Sequence, residues 1–271
     1  MSHTLLLIGC GNMGFAMLQG WLSEDPALAV HVVEPADALR ERAAAAGALA
    51  VSSLGDLPPD LQPEIVFIAV KPHYVEAILA ECAAFATRGV TFVSVAAGVT
   101  STAMAKSLPD GAAIIRCMPN TPAAIGEGMM VLFARNGVTK DAETLVSQLL
   151  STSGLVAWID DEAQMDAVTA ISGSGPAYVF HFIEALTDAG IALGLPAETA
   201  SLLAKQTVRG AGRLAMEAPV DPATLRRQVT SPGGTTAAAL AVFMHDERTA
   251  KLVAEATRAA RDRSVELGQS H

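Results

Sequence analysis

Short apolar runs alternate with alanine-rich stretches of helical periodicity through the first half of the chain. The first two runs cover residues 5–8 and 30–33, and helical patterns follow them from about Asn12 and over residues 36–46. Short runs rich in branched side chains predict strands, so this alternation predicts a βαβ unit. Because successive positions of each run are apolar, we expect both faces of each strand to be buried, as in a parallel, doubly wound α/β sheet.

The alternation continues to about residue 160 and then stops. Further strands are predicted at residues 65–70, 91–95, 113–117, 129–134 and 156–159, with helices at residues 75–86 and 101–106. From Glu162 onward the pattern is helical. This shift predicts two domains, an α/β domain over residues 1–160 and a smaller, all-helical domain over residues 161–271.

Turn residues divide the helical half into an expected three or four helices. Gly194 is suited to closing one helix, and Pro196 is suited to starting the next. Thr235 opens a later apolar helix after a turn that contains two glycines. The small residues of segment 172–176 are expected to let a helix kink, with Pro176 supplying the break.

Charge and composition argue against two classes of partner. The formal net charge is -10, and the basic residues are scattered, so we expect no binding to nucleic acid or to an anionic membrane surface. The uncharged stretches contain Gly, Ser and Pro and are too short to span a bilayer. The chain of 271 residues is long enough to bury the cores of two domains.

The cysteines and histidines indicate neither disulfides nor a metal site. Cys10, Cys82 and Cys117 are an odd number at wide spacing, which fits neither a disulfide framework nor paired metal ligands. The 6 histidines form no pair at helical spacing and no cluster with cysteine, so no metal is expected. Because no basic segment precedes the first apolar run, we expect no signal peptide and a reducing, cytoplasmic location.

A glycine-rich segment follows the first predicted strand and opens the first predicted helix. Its sequence, Gly9-Cys-Gly-Asn-Met-Gly14, has the spacing of a dinucleotide-binding fingerprint. Gly9 permits a tight turn, Gly11 leaves room for the pyrophosphate, and Gly14 allows helix and strand to pack closely. Free amides at the start of the helix, around Asn12 and Met13, are expected to bind the anion. The segment therefore predicts a Rossmann-type domain.

The sequence leaves open whether this dinucleotide site prefers NADH or NADPH, which carries an additional 2′-phosphate. Glu34 ends the second predicted strand, where a carboxylate accepts hydrogen bonds from the adenosine ribose and repels a 2′-phosphate, which favours NADH. Arg40 and Arg42 lie close by in sequence and would reach a 2′-phosphate if the loop at Pro35 turned Glu34 aside, which favours NADPH. A third interpretation makes Glu34 a solvated residue at a strand end.

Five further blocks carry a family resemblance. They are Ala69-Val-Lys-Pro72, Val95-Ala-Ala-Gly98, Arg116-Cys-Met-Pro-Asn-Thr-Pro122, Asp166-Ala-Val-Thr-Ala-Ile-Ser-Gly-Ser-Gly-Pro-Ala-Tyr178 and Gln228-Val-Thr-Ser-Pro-Gly-Gly-Thr-Thr236. With these blocks in this order, the sequence resembles the pyrroline-5-carboxylate reductase family of proline biosynthesis along nearly its whole length. The resemblance implies an oxidoreductase that uses NADPH or NADH to reduce the cyclic imine 1-pyrroline-5-carboxylate to L-proline.

The resemblance also implies which residues surround the cofactor. Two segments are expected to line the cofactor groove, and they contain Ala69, Val70, Lys71, Pro72, Val95, Ala96 and Ala97. Asn120 is implied to lie near the nicotinamide. Two structural alternatives stand beside these roles, since Lys71 would also fit an exposed cation at a strand end and Asn120 would fit a residue that stabilises a turn.

The last block looks like the family's substrate loop. Glycines at 233 and 234 free the backbone for close approach, and amides that open the helix at Thr235 would bind the substrate carboxylate. The resemblance implies that the Thr236 hydroxyl lies beside the imine nitrogen, where it would hydrogen-bond and orient the substrate. Ser231, Gly233 and Gly234 are implied contacts of the same loop. The structural alternative is an ordinary glycine turn with a threonine at the helix N-cap.

The helical domain is expected to form dimers or larger homo-oligomers, because a small apolar helical domain commonly completes its core against a second copy. The resemblance adds the hypothesis that the substrate loop of one subunit completes the site of the other. Two other functions stand as alternatives, a β-hydroxyacid dehydrogenase and a non-catalytic NAD(P)-sensing protein. A serine hydrolase is not expected, because Ser174 lacks the spacing of a nucleophile elbow.

Overall fold

The protein is described by a computed structural model that covers residues 3–269. Its backbone forms two compact units. The first contains the described residues up to Ser174 together with those from Ala260 onward, and the second is Gly175–Ala259. The domain boundary near residue 160 stays a prediction, although strands are confined to the part of the described chain before Ile159.

The first unit is built on a mixed sheet of eight strands, counted over residues 3–269, in the order β3-β2-β1-β4-β5-β6-β7-β8. The strands are β1 (Thr4–Ile8), β2 (Ala29–Val33), β3 (Leu49–Val51), β4 (Ile65–Ile68), β5 (Thr91–Ser94), β6 (Ala113–Met118), β7 (Gly128–Ala134) and β8 (Gly154–Trp158). The first six strands are parallel to one another. The predicted doubly wound α/β class is confirmed, and the strand order changes direction at β1, where doubly wound sheets bind ligands.

The far edge of the sheet departs from a purely parallel arrangement. β7 pairs with β6 in antiparallel register, and β8 is parallel to β7. The segment between Met118 and Gly128 holds only a short 3-10 turn, Thr121–Ile125. Parallel pairing needs a crossover of about a dozen residues or more, so this short connection reverses the chain direction instead.

Helices cover the sheet of the first unit. They are α1 (Asn12–Glu24), α2 (Asp37–Ala45), α3 (Val75–Glu81), α4 (Ala83–Ala86), α5 (Ser101–Ala105), α6 (Lys140–Ser151) and α7 (Met165–Val168). Leu5 and Leu7 of β1 belong to one buried cluster, and Leu6 and Ile8 belong to another. Because neighbouring residues of a strand point to opposite faces, the sheet is buried on both sides, as its apolar pattern predicted.

Trp21 fixes α1 on the sheet. Its side chain is 1% exposed and its ring lies 4.7 Å from that of Phe67 in β4. The indole Nε1 donates a hydrogen bond of 3.0 Å to the Leu149 carbonyl of α6, so the one polar atom of this buried ring is satisfied. Burying such a side chain contributes about 1.5–3 kcal/mol, which holds α1 and the glycine turn before it in a defined position.

The remaining helices are α8 (Gly175–Ala192), α9 (Ala197–Glu217), α10 (Pro222–Gln228), α11 (Thr235–Met244) and α12 (Arg248–Gln269). Together with α7 they make six α-helices in the described part of the helical half, residues 161–269, so the expectation of three or four was too low. Gly194 has a φ of 95° just after α8, and Pro196 is the N-cap of α9, which confirms both boundaries. The sequence did not separate α11 from α12, because its break at Asp246 carries no glycine or proline.

The second unit leaves many large apolar side chains exposed. They include Phe180, Leu193, Leu202, Met216 and Phe243. Its buried residues are small, Ala200 in contact with Gly190 being an example. An exposed surface as apolar as this marks an interaction site. The predicted self-association of the helical domain requires such a surface.

Candidate functional site

The glycine turn between β1 and α1 has the geometry that a bound pyrophosphate requires. Gly9 has a φ of +90°, and a methyl group on it would lie 2.6 Å from the Ala69 carbonyl oxygen. A methyl group on Gly14 would lie 2.2 Å from the Gly9 carbonyl oxygen, whereas one on Gly11 meets no atom within 4 Å. Gly9 and Gly14 therefore serve close packing, and Gly11 opens to free space. These are the three roles that the fingerprint assigns.

The first turn of α1 offers amide groups to an anion. Gly11 is the N-cap, with extended backbone and no side-chain cap, and the first helical bond runs from the Phe15 amide to the Gly11 carbonyl. The amides of Asn12, Met13 and Gly14 precede that bond and have no partner inside the helix. Their positive ends sum with the helix dipole to favour a phosphate.

Glu34 faces this turn from the end of β2. Its carboxylate accepts hydrogen bonds from the Cys10 amide at 2.7 Å and from the Ala36 amide at 3.0 Å. The residue is 6% exposed. The alternative that Glu34 is a solvated strand-end residue is therefore wrong, because its carboxylate is buried against backbone amides.

One of the two arginines of α2 contacts the same turn. Arg42 donates through Nη2 to the Cys10 carbonyl at 2.7 Å and to the Gly11 carbonyl at 3.3 Å, and its guanidinium lies 4.0 Å above the Phe15 ring. Arg40 donates instead to the carbonyls of Glu34 and Pro35 and pairs with Asp37. The contact of Arg42 with the glycine turn was missed by sequence reasoning, since nothing in the spacing distinguishes Arg42 from Arg40.

Cys10 lies in the middle of the turn and is fully buried. Burial raises the pKa of its thiol to about 11, although Arg42 acts in the opposite direction. The thiol is therefore protonated at neutral pH and is not a nucleophile.

The two segments expected to line the cofactor groove follow β4 and β5 and lie on the same edge as the glycine turn. The Ala69 amide bonds to the Ile8 carbonyl of β1, and the Val95 amide bonds to the Ile68 carbonyl of β4. Val70 approaches the position that a Gly9 methyl group would take, at 2.8 Å. Within these segments Ala96 is buried, Lys71 is exposed, and Ala69, Val70, Pro72, Val95 and Ala97 are half-buried.

Asn120 connects two backbone segments after β6. Its Oδ1 accepts from the Met129 amide at 2.9 Å, and its Nδ2 donates to the Ser172 carbonyl at 3.0 Å. The side chain therefore stabilises the turn that follows β6, as the structural alternative stated. Its position near the nicotinamide stays a prediction.

Segment 172–176 is reached through a wide helical turn. Thr169–Gly173 is π-helical, and the Ser174 amide bonds to the Thr169 carbonyl at 2.8 Å. A methyl group on Gly173 would lie 2.4 Å from Cε of Met118, so the flexible end of that side chain would have to move to make room for it. The helical path is widened at this π-turn, and Pro176 does not break it, because Pro176 lies in the first turn of α8.

A buried ion pair near the end of β6 was not predicted. Arg116 donates to the Glu162 carboxylate at 2.7 Å, and the Ser101 amide and hydroxyl donate to the same carboxylate at 2.7 and 2.5 Å. An arginine inside an otherwise apolar strand was the available signal, because a buried guanidinium needs a partner. The partner lies 46 residues away, and periodicity does not predict such a pairing.

Replacing Glu162 with Gln should destabilise the protein at neutral pH by about 1–3 kcal/mol, the value of lost hydrogen bonds to a charged group. Burial by itself would raise the pKa of Glu162, but the hydrogen bonds from Ser101 and Arg116 outweigh it and lower the pKa. A lowered carboxylate pKa gives stability that is present above the unfolded-state pKa of about 4.3 and is lost as pH falls through the folded-state value. Urea unfolding of Glu162→Gln and the original protein at several pH values measures the difference.

Glu143 provides the matched control for that experiment. Its side chain is as exposed as that of Glu162, at 22%, but its partner Lys140 is 90% exposed. Glu143→Gln should change the free energy of unfolding by less than about 1 kcal/mol. If the Glu162→Gln deficit persisted unchanged below the carboxylate pKa, the ion pair would not be its source.

The predicted substrate loop forms a tight turn before α11. Gly233 has a φ of +68°, and the Gly234 amide bonds to the Ser231 carbonyl at 3.1 Å. Gly234 is the N-cap of α11, which has no side-chain cap, so the alternative of a threonine N-cap is wrong. Ser231 and Thr235 are exposed and Thr236 is half-buried, and the amides that open α11 are available to an anion.

No group of three or more His, Cys, Asp or Glu side chains suited to a metal lies among residues 3–269. His181 and His245 are exposed side chains at helix surfaces. None of the helices in that same range is long and apolar enough to cross a membrane.

Comparisons with known proteins give the relationship. Residues 4–98 match a family described as NADP oxidoreductase, coenzyme F420-dependent, and residues 162–267 match one described as pyrroline-5-carboxylate reductase dimerisation. A pyrroline-5-carboxylate reductase of Pseudomonas aeruginosa is 40% identical over 98% of this chain and 97% of its own length. The chain belongs to the pyrroline-5-carboxylate reductase family.

Solved structures agree with this relationship. A pyrroline-5-carboxylate reductase from Coxiella burnetii superposes with a TM-score of 0.93 at 34% identity, covering 98% of this chain and 99% of its own. The pyrroline carboxylate reductase of Plasmodium falciparum, solved with NADP bound, gives 0.83 at 27% identity and covers 98% of each chain. The relatives confirm the predicted family and favour it over the hydroxyacid dehydrogenase and the sensing protein.

The match to a dimerisation region covers most of the helical half, where large apolar side chains are exposed. Self-association of this pyrroline-5-carboxylate reductase family member is therefore confirmed at the level of a homo-oligomer.

Proposed function

We propose that this chain reduces 1-pyrroline-5-carboxylate to L-proline with a reduced nicotinamide dinucleotide. The observation that carries the proposal is the family relationship over the whole chain, which includes both the dinucleotide turn and the glycine-threonine loop. The substrate reacts as the protonated imine, so the nicotinamide would supply a hydride to the ring carbon, the proton already on the nitrogen would stay there, and the dinucleotide would leave in its oxidised form.

The residues of the glycine turn fit a dinucleotide. The free space at Gly11 and the uncapped amides of α1 suit a pyrophosphate. We assign the phosphates to Gly9, Gly11, Asn12, Met13 and Gly14. The remaining cofactor contacts are assigned to the two neighbouring segments and the turn after β6, at Ala69, Val70, Lys71, Pro72, Val95, Ala96, Ala97 and Asn120.

The substrate is assigned to the loop before α11. The substrate carboxylate would be bound by the amides that open α11 at Thr235, since this helix has no side-chain cap, and Gly233 and Gly234 would leave the backbone free for close approach. The Thr236 hydroxyl would hydrogen-bond the imine nitrogen and fix the orientation of the ring. Its ordinary acidity is too weak for a general acid at neutral pH, so its contribution is positioning.

A cytoplasmic location belongs to the same proposal. Cys10, Cys82 and Cys117 are free and buried, and burial raises the pKa of Cys82 to about 12. Buried neutral thiols of this kind suit a reducing compartment.

The proposed activity is tested by following the absorbance of NADH and of NADPH as the purified protein meets pyrroline-5-carboxylate. Oxidation of either cofactor with proline as product is the expected result. Oxidation of hydroxyacids in the reverse direction, without turnover of the imine, would instead favour a hydroxyacid dehydrogenase.

A further inference from the structure

The backbone of Cys10 is held from two sides by opposite charges. Glu34 accepts from its amide at 2.7 Å, and Arg42 donates to its carbonyl at 2.7 Å. Charge-assisted hydrogen bonds are about twice as strong as neutral ones. Cys10 immediately precedes Gly11 and α1, so these two bonds fix the direction from which the phosphate-binding amides emerge.

Each of the two side chains is itself anchored. The second carboxylate oxygen of Glu34 accepts from the Ala36 amide at 3.0 Å, and the residue is only 6% exposed. The Arg42 guanidinium rests 4.0 Å above the ring of Phe15 in α1, an attractive cation–π contact. The end of β2, the start of α1 and α2 are thereby joined at one residue, Cys10.

This arrangement conflicts with Glu34 acting as a selector of NADH. A selector needs a carboxylate that is free to accept from ribose hydroxyls and to repel a 2′-phosphate. Both oxygens of Glu34 instead accept from backbone amides, the residue is only 6% exposed, and Arg42 donates to the carbonyl of the same Cys10. We propose that Glu34 and Arg42 form a brace across the glycine turn, so that both are positioning residues for NADH and NADPH alike and Glu34 does not choose between them.

The brace predicts equal losses for the two cofactors. Glu34→Gln keeps the shape of the side chain but directs an amide NH₂ at one backbone amide, and Arg42→Met removes the donors to the carbonyls. Each variant should weaken the Kd of NADH and of NADPH by about tenfold, leaving the ratio of the two within about twofold of the original. Titration of reduced-cofactor fluorescence with the purified full-length protein gives both Kd values without any substrate.

The control is Glu41→Gln, which removes an exposed carboxylate from the same helix and should leave both Kd values unchanged. The double variant Glu34→Gln/Arg42→Met tests whether the two act through one residue, Cys10. We expect the double variant to lose about as much cofactor affinity as either single variant, and much less than the product of the two single losses. Thermal unfolding of each variant, with and without cofactor, separates a loss of binding from a loss of folding.

The inference rests on the proposed use of a nicotinamide dinucleotide, but its test does not need turnover. If the protein bound both cofactors and reduced no pyrroline-5-carboxylate, the proposed reaction would fail while the brace stayed measurable. A tenfold or greater change in the NADH-to-NADPH ratio in Glu34→Gln would overturn the brace and restore Glu34 as a selector. The brace would also be overturned if Glu34→Gln and Arg42→Met left both Kd values unchanged, or weakened binding no more than Glu41→Gln does. It would likewise be overturned if the loss of affinity in the double variant equalled the product of the two single losses.

Discussion

Replacing Gly11 with Ala should weaken cofactor binding by about 100-fold, because an added methyl group in a filled site costs about 1–3 kcal/mol and each 1.4 kcal/mol is about tenfold in Kd. A methyl group at this position meets no protein atom within 4 Å, so it occupies only the space that the pyrophosphate would take. The protein itself should lose less than about 1 kcal/mol, because alanine is a somewhat poorer N-cap than glycine. Cofactor titration and urea unfolding measure the two quantities independently.

Gly14→Ala and Gly55→Ala are the comparison variants for Gly11→Ala. A methyl group on Gly14 would lie 2.2 Å from the Gly9 carbonyl oxygen, so this variant should lose both binding and about 1–3 kcal/mol of stability. At Gly55 the nearest atom is 3.7 Å away, and neither quantity should change. Wild-type affinity in Gly11→Ala would show that the pyrophosphate does not bind at this turn.

Thr236→Ala should lower kcat/KM for pyrroline-5-carboxylate by about 10- to 100-fold. This is the range expected when one hydrogen bond to a charged group is lost. The Kd of the dinucleotide should not change, because the loop before α11 is assigned to the substrate alone. Steady-state kinetics at saturating cofactor, combined with cofactor titration, measures both.

Two neighbouring changes make the Thr236 result specific. Thr236→Ser retains the hydroxyl and should recover most of the activity. Thr235→Ala removes the hydroxyl of an exposed residue but keeps the amide assigned to the carboxylate, so it should alter kcat/KM little. Equal losses in Thr235→Ala and Thr236→Ala would mean that the turn as a whole, and not the Thr236 hydroxyl, affects the reaction.

The spacing of apolar residues predicted the elements that can be recognised from their own segment of sequence. β1, β2, β4, β5 and β6 are buried on both faces and appear as short, mainly apolar runs, so their positions were predictable. β3 was not predicted because it is only three residues long and follows directly on the alanine-rich pattern of α2. α6 was also missed, although its apolar and polar residues alternate with helical period.

The features that sequence could not supply depend on contacts between distant segments. The position of Glu34 at a strand end was predictable, but the engagement of both its oxygens by backbone amides was not. The ion pair of Arg116 with Glu162 depends on how the chain returns to β6 after β8. The reversal at β7 follows from a short connection, a rule that would have been applicable to the sequence alone.

The reaction itself is tested most directly by the fate of the hydride. The protein is given pyrroline-5-carboxylate and a reduced dinucleotide that carries deuterium at the transferred position, and the proline formed is analysed by mass spectrometry. We predict proline heavier by a single deuterium, in an amount equal to the cofactor oxidised. Cofactor oxidation without labelled proline, or binding of the cofactor without any oxidation, would contradict the proposed function.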